Sequence, residues 1–301
     1  MKKINLSWIF IVLVGLLLLD YYKNDIKDFI IDNKVLINEE KIEYYSYNDN
    51  QEYKTGNEYR FDSKYYIYYS YLSIEEKSLY RQLYANVLEY NEIIKPNVKI
   101  SVDQIKTVIE SLYNDHPELF YLDTNYLYKY DNNNNCIEIT LKYNDLIKNI
   151  DYNKKVFYEK IDTIVNKALK YKTDYEKEKY VYKYLVNNIT YDTNALYNQS
   201  SYSALVLGKS VCAGYSRAFQ LIMQKLQIPT YYVLGFAKED HAWNIVKLGD
   251  EYYNVDLTWD DTGKLYSHFN VKDKDINNTH TRIGMSIYLP KCNYNTYYKY
   301  G

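Results

Sequence analysis

Three side chains within one stretch of the sequence have the types that a thiol nucleophile system requires. They are Cys212, His241 and Asp256, in that order along the chain. A cysteine sulfur can attack a carbonyl carbon, an imidazole can move the proton, and a carboxylate can hold the imidazole in the required tautomer. The residue types therefore predict acyl-transfer chemistry, if the fold brings the three together.

Cys212 follows the turn-prone Gly208-Lys209-Ser210 and begins a helical pattern. Apolar side chains recur at the spacing of one buried helix face, at positions 215, 218, 219, 222, 223 and 226. The pattern places Cys212 at or just inside a helix N-terminus, where unpaired N–H groups and the helix dipole stabilise a thiolate. A small buried cysteine that packs a helix start is the alternative interpretation.

His241 and Asp256 belong to two segments, HAWNIVKL and EYYNVDL, that flank Gly249-Asp250. A hairpin centred on that turn puts Asp256 opposite Trp243 and diagonal to His241 on one face of the sheet. Diagonal neighbours lie about 7–8 Å apart, so the carboxylate can reach one imidazole nitrogen and leave the other for a thiol. A one-residue bulge would place them on opposite faces. A strand-end histidine and a turn aspartate with no joint role are the alternative.

The segments GKSVCAGYSRAF, DHAWNIV and YYNVDLTWDD resemble the three blocks of the transglutaminase-like superfamily, cysteine acyltransferases and hydrolases with a papain-like fold. The resemblance covers roughly residues 174–275. It implies an α+β fold with a nucleophile helix packed on an antiparallel sheet. It also implies that Cys212 is the nucleophile, His241 the general base and acid, and Asp256 the residue that orients His241.

The same resemblance extends to two further positions. The segment HFNVKDKDINNTH resembles the stretch that follows the core in bacterial members, and it ends in His280. Tyr202, which precedes the cysteine, matches an aromatic position of these proteins. We expect its hydroxyl to help the Cys212 N–H hold the oxyanion of a tetrahedral intermediate.

Composition and pattern divide the chain into a signal-anchor transmembrane helix (1–22), a stalk or linker (23–60), a small α/β unit (61–145) and the catalytic domain (146–301). The anchor is predicted because Lys2 and Lys3 precede an apolar run from Ile4 to Leu19. A cleaved signal peptide is the alternative, but no small-x-small cleavage pattern follows Leu19.

The segment 61–145 predicts a helix-helix-hairpin unit. Capping boxes at Ser73 and Ser101 begin the helices, and strands follow at Tyr126–Tyr130 and Cys136–Tyr143. Between them, LFYLD is predicted to be extended, and His116 is predicted to cap a helix end. The unit resembles the segment before the core in Firmicute transglutaminase-like proteins. Two more helices are predicted over residues 151–170 and 174–189.

The composition argues against several functions. The 37 basic and 39 acidic residues nearly balance, so the chain has no excess of positive charge to bind a nucleic acid. The 42 tyrosines are interpreted as core and rim residues. The three cysteines, at positions 136, 212 and 292, form no C-x-x-C motif, and the histidines lack i, i+4 spacing, so we expect no metal and no cofactor. A disulfide between Cys136 and Cys292 would leave Cys212 free.

The sequence thus predicts a bacterial, membrane-anchored cysteine acyltransferase or cysteine protease with its catalytic domain outside the cell. It would act on a peptide or protein carboxamide, by crosslinking, deamidation or proteolysis. Cell-wall peptides or surface proteins are the partners expected from that location. The alternative is an inactive domain of the same fold that serves as a cell-surface binding module, because fold does not imply function.

Overall fold

The computed structural model of the protein describes residues 54–261 and 266–294. The predicted signal-anchor helix (1–22) and most of the predicted stalk lie outside the described residues. Within the described ranges, no helix is both long and apolar enough to cross a membrane. Both ranges belong to one compact unit.

The first part of the described chain builds an α/β layer. Its helices are α1 (Ile67–Tyr71), α2 (Ile74–Leu88) and α3 (Val102–Asp115), and its strands are β1 (Ile93–Ile94), β2 (Leu122–Tyr130) and β3 (Cys136–Tyr143). The strands form an antiparallel sheet in the order β1-β3-β2.

Local sequence signals explain where two of these helices begin. Ser73 and Ser101 both form complete capping boxes: each side chain accepts an N–H from the third helical residue, whose side chain accepts the cap residue's N–H. A cap of this kind stabilises a helix by about 1 kcal/mol. The prediction for LFYLD was wrong in part, since strand β2 begins only at Leu122 and the preceding residues form turns.

The second part builds the layer that carries the candidate site. It comprises, in chain order, α4 (Ile150–Ala168), α5 (Asp174–Asn188), β4 (Thr190–Tyr191), β5 (Lys209–Ser210), α6 (Cys212–Lys225), β6 (Thr230–Phe236), β7 (Asp240–Leu248), β8 (Glu251–Val255), α7 (Leu257–Asp261), β9 (Phe269–Val271), α8 (Asp273–Ile276) and β10 (Thr281–Arg282). The longer sheet is antiparallel in the order β10-β6-β7-β8-β9. Strand β8 pairs with β9 across a bulge between Asn254 and Val255.

The β7–β8 hairpin has the predicted register. Leu248 pairs with Glu251 and Asn244 pairs with Val255, so the turn is centred on Gly249-Asp250. Gly249 has a φ of +59°, a left-handed conformation that glycine adopts at little cost in a tight hairpin turn. The register sends His241 and the residue after β8 toward the same end of the sheet.

One hydrophobic core joins the two layers. It extends from α2 and α3 through α4, α5 and α6 to β9. Phe120 of the first layer lies between Phe157 of α4 and Tyr202, with ring centroids 4.6 and 4.9 Å away. Helix α6 buries its predicted apolar face, including Phe219 and Ile222, and it packs on β6 and β7. This packing fixes the position of the α6 N-terminus relative to the sheet.

Candidate active site

Cys212 is the first residue of α6, as its sequence context predicts. Val211 before it is extended, and no side chain caps the helix. Within the described part of the chain, no backbone acceptor bonds the N–H of Cys212 or of Ala213, as expected for the first turn of a helix. The thiol is half-buried beside Tyr232 and Ala242. The sulfur therefore lies next to free N–H donors and remains partly accessible.

Gly214 allows the first turn of α6 to approach the loop before it. A Cβ at this position would overlap Ser210 Oγ and lie 2.8 Å from the carbonyl oxygens of Asn198 and Ser200. Val211 N–H also donates to Asn198 O at 3.1 Å. The glycine of the CAGY segment is thus required by the close contact that holds the Cys212 backbone in place.

His241 lies near the start of β7 and its side chain is 7% exposed. Its Nε2 is 2.7 Å from Asp256 Oδ2. Because the carboxylate only accepts, Nε2 carries the proton and Nδ1 is left for the thiol. Burial alone would lower the pKa of His241, but hydrogen bonds with Asp256 and Cys212, together with their charges, raise it to about 10. Asp256 is thus placed to stabilise an imidazolium at His241.

Asp256 follows β8 directly and is 2% exposed. Its Oδ1 accepts hydrogen bonds from Thr258 N, Thr258 Oγ1 and Trp259 N at 3.0, 2.7 and 3.1 Å. Burial alone would raise the pKa of Asp256, but hydrogen bonds from His241, His280 and Thr258 hold it well below its usual range. The carboxylate is therefore ionised and fixed in orientation by the first turn of α7.

His280 also hydrogen-bonds the Asp256 carboxylate, and the sequence pattern did not predict this contact. Its Nε2 is 3.0 Å from Asp256 Oδ2, and its side chain is 1% exposed. The resemblance reached this residue as the end of a sequence block but assigned it no role. No local signal could have done so, because the contact joins residues that are 24 positions apart.

Two tryptophans flank these histidines in different ways. Trp243 is 1% exposed and donates its Nε1–H to Asn254 Oδ1 at 3.0 Å, so it is a packed residue of the hairpin. Trp259 is partly exposed, and its ring centroid lies 4.6 Å from His280 and 6.3 Å from His241. Trp259 therefore lies beside both histidines of the site and is partly accessible to solvent.

The structure does not bring Tyr202 to this site. Its hydroxyl donates to Asn153 Oδ1 at 3.0 Å, and its ring packs against Phe120 in the main core. The predicted oxyanion role is therefore not supported, because the hydroxyl already has a buried partner elsewhere. A different tyrosine, Tyr191, lies near the thiol: burial raises the pKa of Tyr191, and the charges of Cys212, Glu239 and Asp256 raise it further.

Three further features of the described residues bear on the candidate site: a group of possible metal ligands, two other cysteines and a cavity. His241, Asp256 and His280 bring three possible metal-ligand atoms within 4.8 Å of one another, but here both Nε2 atoms point at Asp256 Oδ2 as donors. Cys136 and Cys292 are buried free thiols, so the disulfide considered from the sequence is not formed. A cavity of about 190 Å³ lies elsewhere, lined by residues that include Tyr113, Asn144 and Arg217.

The comparison of the chain with protein families is consistent with this candidate site. Residues 162–257 match the family model of the transglutaminase-like superfamily. The matched residues include Cys212, His241 and Asp256 and lie within the α+β layer that carries the candidate site. A search of curated proteins found no match.

Solved structures give a more distant likeness. A crystal structure of a TGase is 18% identical with a TM-score of 0.32, over 58% of this chain and 52% of that one. A candidate cysteine protease from Cytophaga hutchinsonii is 15% identical with a TM-score of 0.32, over 54% of this chain and 66% of that one. The chain thus spans about half the length of the first of these proteins and about two thirds of the second.

Proposed function

We propose that the protein is a cysteine-dependent acyl-transfer enzyme that acts on a peptide or protein carboxamide. The observation that carries this proposal is the buried His241–Asp256 pair, joined at 2.7 Å, beside a cysteine at the N-terminus of α6. Such a pair fixes the imidazole tautomer and leaves one ring nitrogen for the thiol. The match of residues 162–257 to the transglutaminase-like superfamily supports the same chemistry.

The reaction begins when the Cys212 sulfur attacks the carbonyl carbon of the carboxamide. The Cys212 N–H has no backbone acceptor in the described part of the chain, and we expect it to bond the developing oxyanion. The C–N bond then breaks, His241 gives its proton to the leaving ammonia or amine, and a thioester remains on Cys212.

The second half of the reaction determines the product. A primary amine that attacks the thioester gives a new amide bond, whereas water gives a carboxylic acid, and both release the Cys212 sulfur. Transfer to an amine is crosslinking, and transfer to water is deamidation or proteolysis. Trp259 shields one side of the site, but both acceptors are kept as outcomes of the experiment.

The location of the enzyme is part of the proposal. The apolar run from Ile4 to Leu19 after Lys2 and Lys3 supports a membrane anchor with the remaining chain outside the cell. In that setting, cell-wall peptides or surface proteins are the substrates that we propose.

The first prediction concerns the reactivity of Cys212. We measure the rate of alkylation by iodoacetamide against pH on the full chain in mild detergent, for the wild type and for His241→Ala and Asp256→Asn. We expect wild-type alkylation to reach half its plateau well below pH ~8.5, the value of a free thiol. Both variants should lose that advantage and react roughly tenfold or more slowly at pH 6.5, because a free thiol is then only about 1% ionised.

The Cys212→Ala variant is the control, since it reports any labelling of Cys136 and Cys292, which are 6% and 1% exposed. A glutamine-rich protein with a fluorescent primary amine then distinguishes crosslinking from ammonia release alone. Equal and slow alkylation in the wild type and both variants would show that Cys212 is a packing residue. The binding-module interpretation would then replace the enzyme.

A further inference from the structure

A second histidine shares the carboxylate that orients His241. Both His241 Nε2 and His280 Nε2 lie within hydrogen-bonding distance of one oxygen, Asp256 Oδ2, at 2.7 and 3.0 Å. His280 Nδ1 is 2.8 Å from Thr279 Oγ1, so both nitrogens of the His280 ring have partners. The arrangement requires His280 Nε2 to carry a proton, because Asp256 is ionised and can only accept.

The surroundings hold His280 in this orientation. Its ring centroid is 4.6 Å from that of Trp259 and 5.1 Å from that of Trp243, and its side chain is 1% exposed. A mobile or solvent-exposed histidine would not make ring contacts with two tryptophans at these distances. His280 is therefore a built part of the site and not a chance neighbour.

The charged and titratable groups in and around the contact between His280 and Asp256 come from several elements. They are Cys212 of α6, His241 of β7, Asp256 after β8, His268 with its ring 5.8 Å from His280, Lys238 over the Trp259 ring, and Tyr191 and Glu239 near the thiol. Among the described residues, Asp256 is the carboxylate that hydrogen-bonds both His241 and His280. The two imidazoles thus compete for one charged oxygen.

We propose that His280 is a positioning residue of this site, which fixes Asp256 and limits how strongly the Asp256 charge stabilises the doubly protonated ring of His241. The inference rests on the proposed function for its chemical purpose. A carboxylate oxygen that accepts two N–H bonds gives each a smaller share of its charge than an oxygen with one donor. His241 must release its Nδ1 proton to the leaving group, and Asp256 at Nε2 stabilises the imidazolium that carries this proton, so a weaker stabilisation by Asp256 favours the transfer.

The sign of the effect separates this role from packing. Loss of the His280 donor leaves Asp256 Oδ2 to His241 alone, so His241 should bind its proton more tightly. Loss of the Asp256 charge should have the opposite effect. A residue that only fills space would change stability and leave the proton affinity of His241 as it was.

The experiment follows the ring nitrogens of ¹⁵N-labelled histidine by NMR against pH, in the Cys212→Ala background so that the thiol does not titrate with His241. His280→Leu removes the donor and keeps a similar volume, whereas His280→Gln keeps an N–H near the position of Nε2. We expect His280→Leu to raise the His241 midpoint by about 0.5–1 pH unit, His280→Gln to leave it within about 0.2 unit, and Asp256→Asn to lower it.

An unchanged or lowered midpoint in His280→Leu would overturn the proposal. If that variant does not fold, the parent protein supplies the test, since it should show two downfield ring N–H signals that both move in Asp256→Asn. Absence of the His280 signal would also overturn it. The alkylation rate of Cys212 in the wild type separately tests the proposed function, so the two failures are distinguishable.

Discussion

At the scale of single residues, the role of a hydroxyl or a carboxylate depends on the hydrogen-bond partners that it has in the folded chain. Asp256 receives donors on both oxygens, and these bonds leave it ionised and pointed at His241. Tyr202 is equally well bonded, but its partner is Asn153 in the main core. The sequence assigned both residues to the site, but their hydrogen bonds place Asp256 in the site and Tyr202 in the main core.

Tyr202→Phe tests this separation. We expect the acyl-transfer rate to stay within about twofold of the wild type, because loss of an oxyanion donor would cost about 10²–10³-fold. Unfolding in urea should show a loss of roughly 1–2 kcal/mol, because Asn153 Oδ1 is left without its donor. A hundredfold slower reaction with unchanged stability would restore Tyr202 to the site.

At the scale of elements, helix α5 and strand β9 meet through a pair of buried polar side chains. Asn270 Nδ2 donates to Glu178 Oε2 at 2.9 Å, while Glu178 Oε1 and Asn270 Oδ1 have no partner within the described residues. Both orphan atoms are acceptors when Glu178 is ionised. A proton on Glu178 turns one of them into a donor and allows a two-bond carboxyl–amide pair.

Burial raises the pKa of Glu178 to about 8, with the hydrogen bond from Asn270 acting in the opposite direction. The folded state therefore keeps a proton that the unfolded chain loses above pH ~4.3. This contribution to stability is complete below that pH and is lost as the pH rises toward 8.

Glu178→Gln tests this pair, because an amide makes the same two bonds without titrating. We expect the free energy of unfolding of the wild type to fall by roughly 2–4 kcal/mol between pH 5 and 8 relative to the variant. The comparison is made by urea unfolding at both pH values, and the difference between the proteins cancels other titrating groups such as Asp115. Parallel pH profiles would contradict the protonated pair.

At the scale of the whole molecule, the described residues before position 146 are part of the support for the site. Tyr68 is fully buried, and its hydroxyl donates to Tyr232 O at 2.6 Å on β6. Asp115 accepts Tyr69 N–H at 2.8 Å and Tyr80 Oη–H at 3.0 Å, which ties α1 and α2 to the end of α3. The sheet that carries His241 is thus packed against the N-terminal layer.

The dependence between the layers predicts how fragments behave. A chain of residues 146–301 should show no cooperative unfolding transition, because it lacks Phe120 against α4 and Tyr68 against β6. Each buried aromatic lost in this way costs about 3–5 kcal/mol, comparable to much of the stability of a domain. Tryptophan fluorescence in urea checks this, with residues 54–301 as the matched control. A sharp transition in the shorter chain would show that residues 146–301 form an independent domain.

The sequence by itself determined the features that depend on near neighbours in the chain. Capping at Ser73 and Ser101 uses partners three residues away, and the β7–β8 register follows from the turn at Gly249-Asp250. The same register placed Asp256 within reach of His241. These interactions close short loops, so residue type and spacing are enough to predict them.

Only the tertiary structure decided the contacts between distant segments. His280 reaches Asp256 across 24 positions, Glu178 reaches Asn270 across 92, and Tyr202 turns toward Asn153. Such partners depend on how layers pack, and the pattern of a single segment carries no record of which face another segment will cover. The sequence was therefore enough to predict Cys212, His241 and Asp256 from their residue types and their order. It was not enough to predict that His280 hydrogen-bonds Asp256.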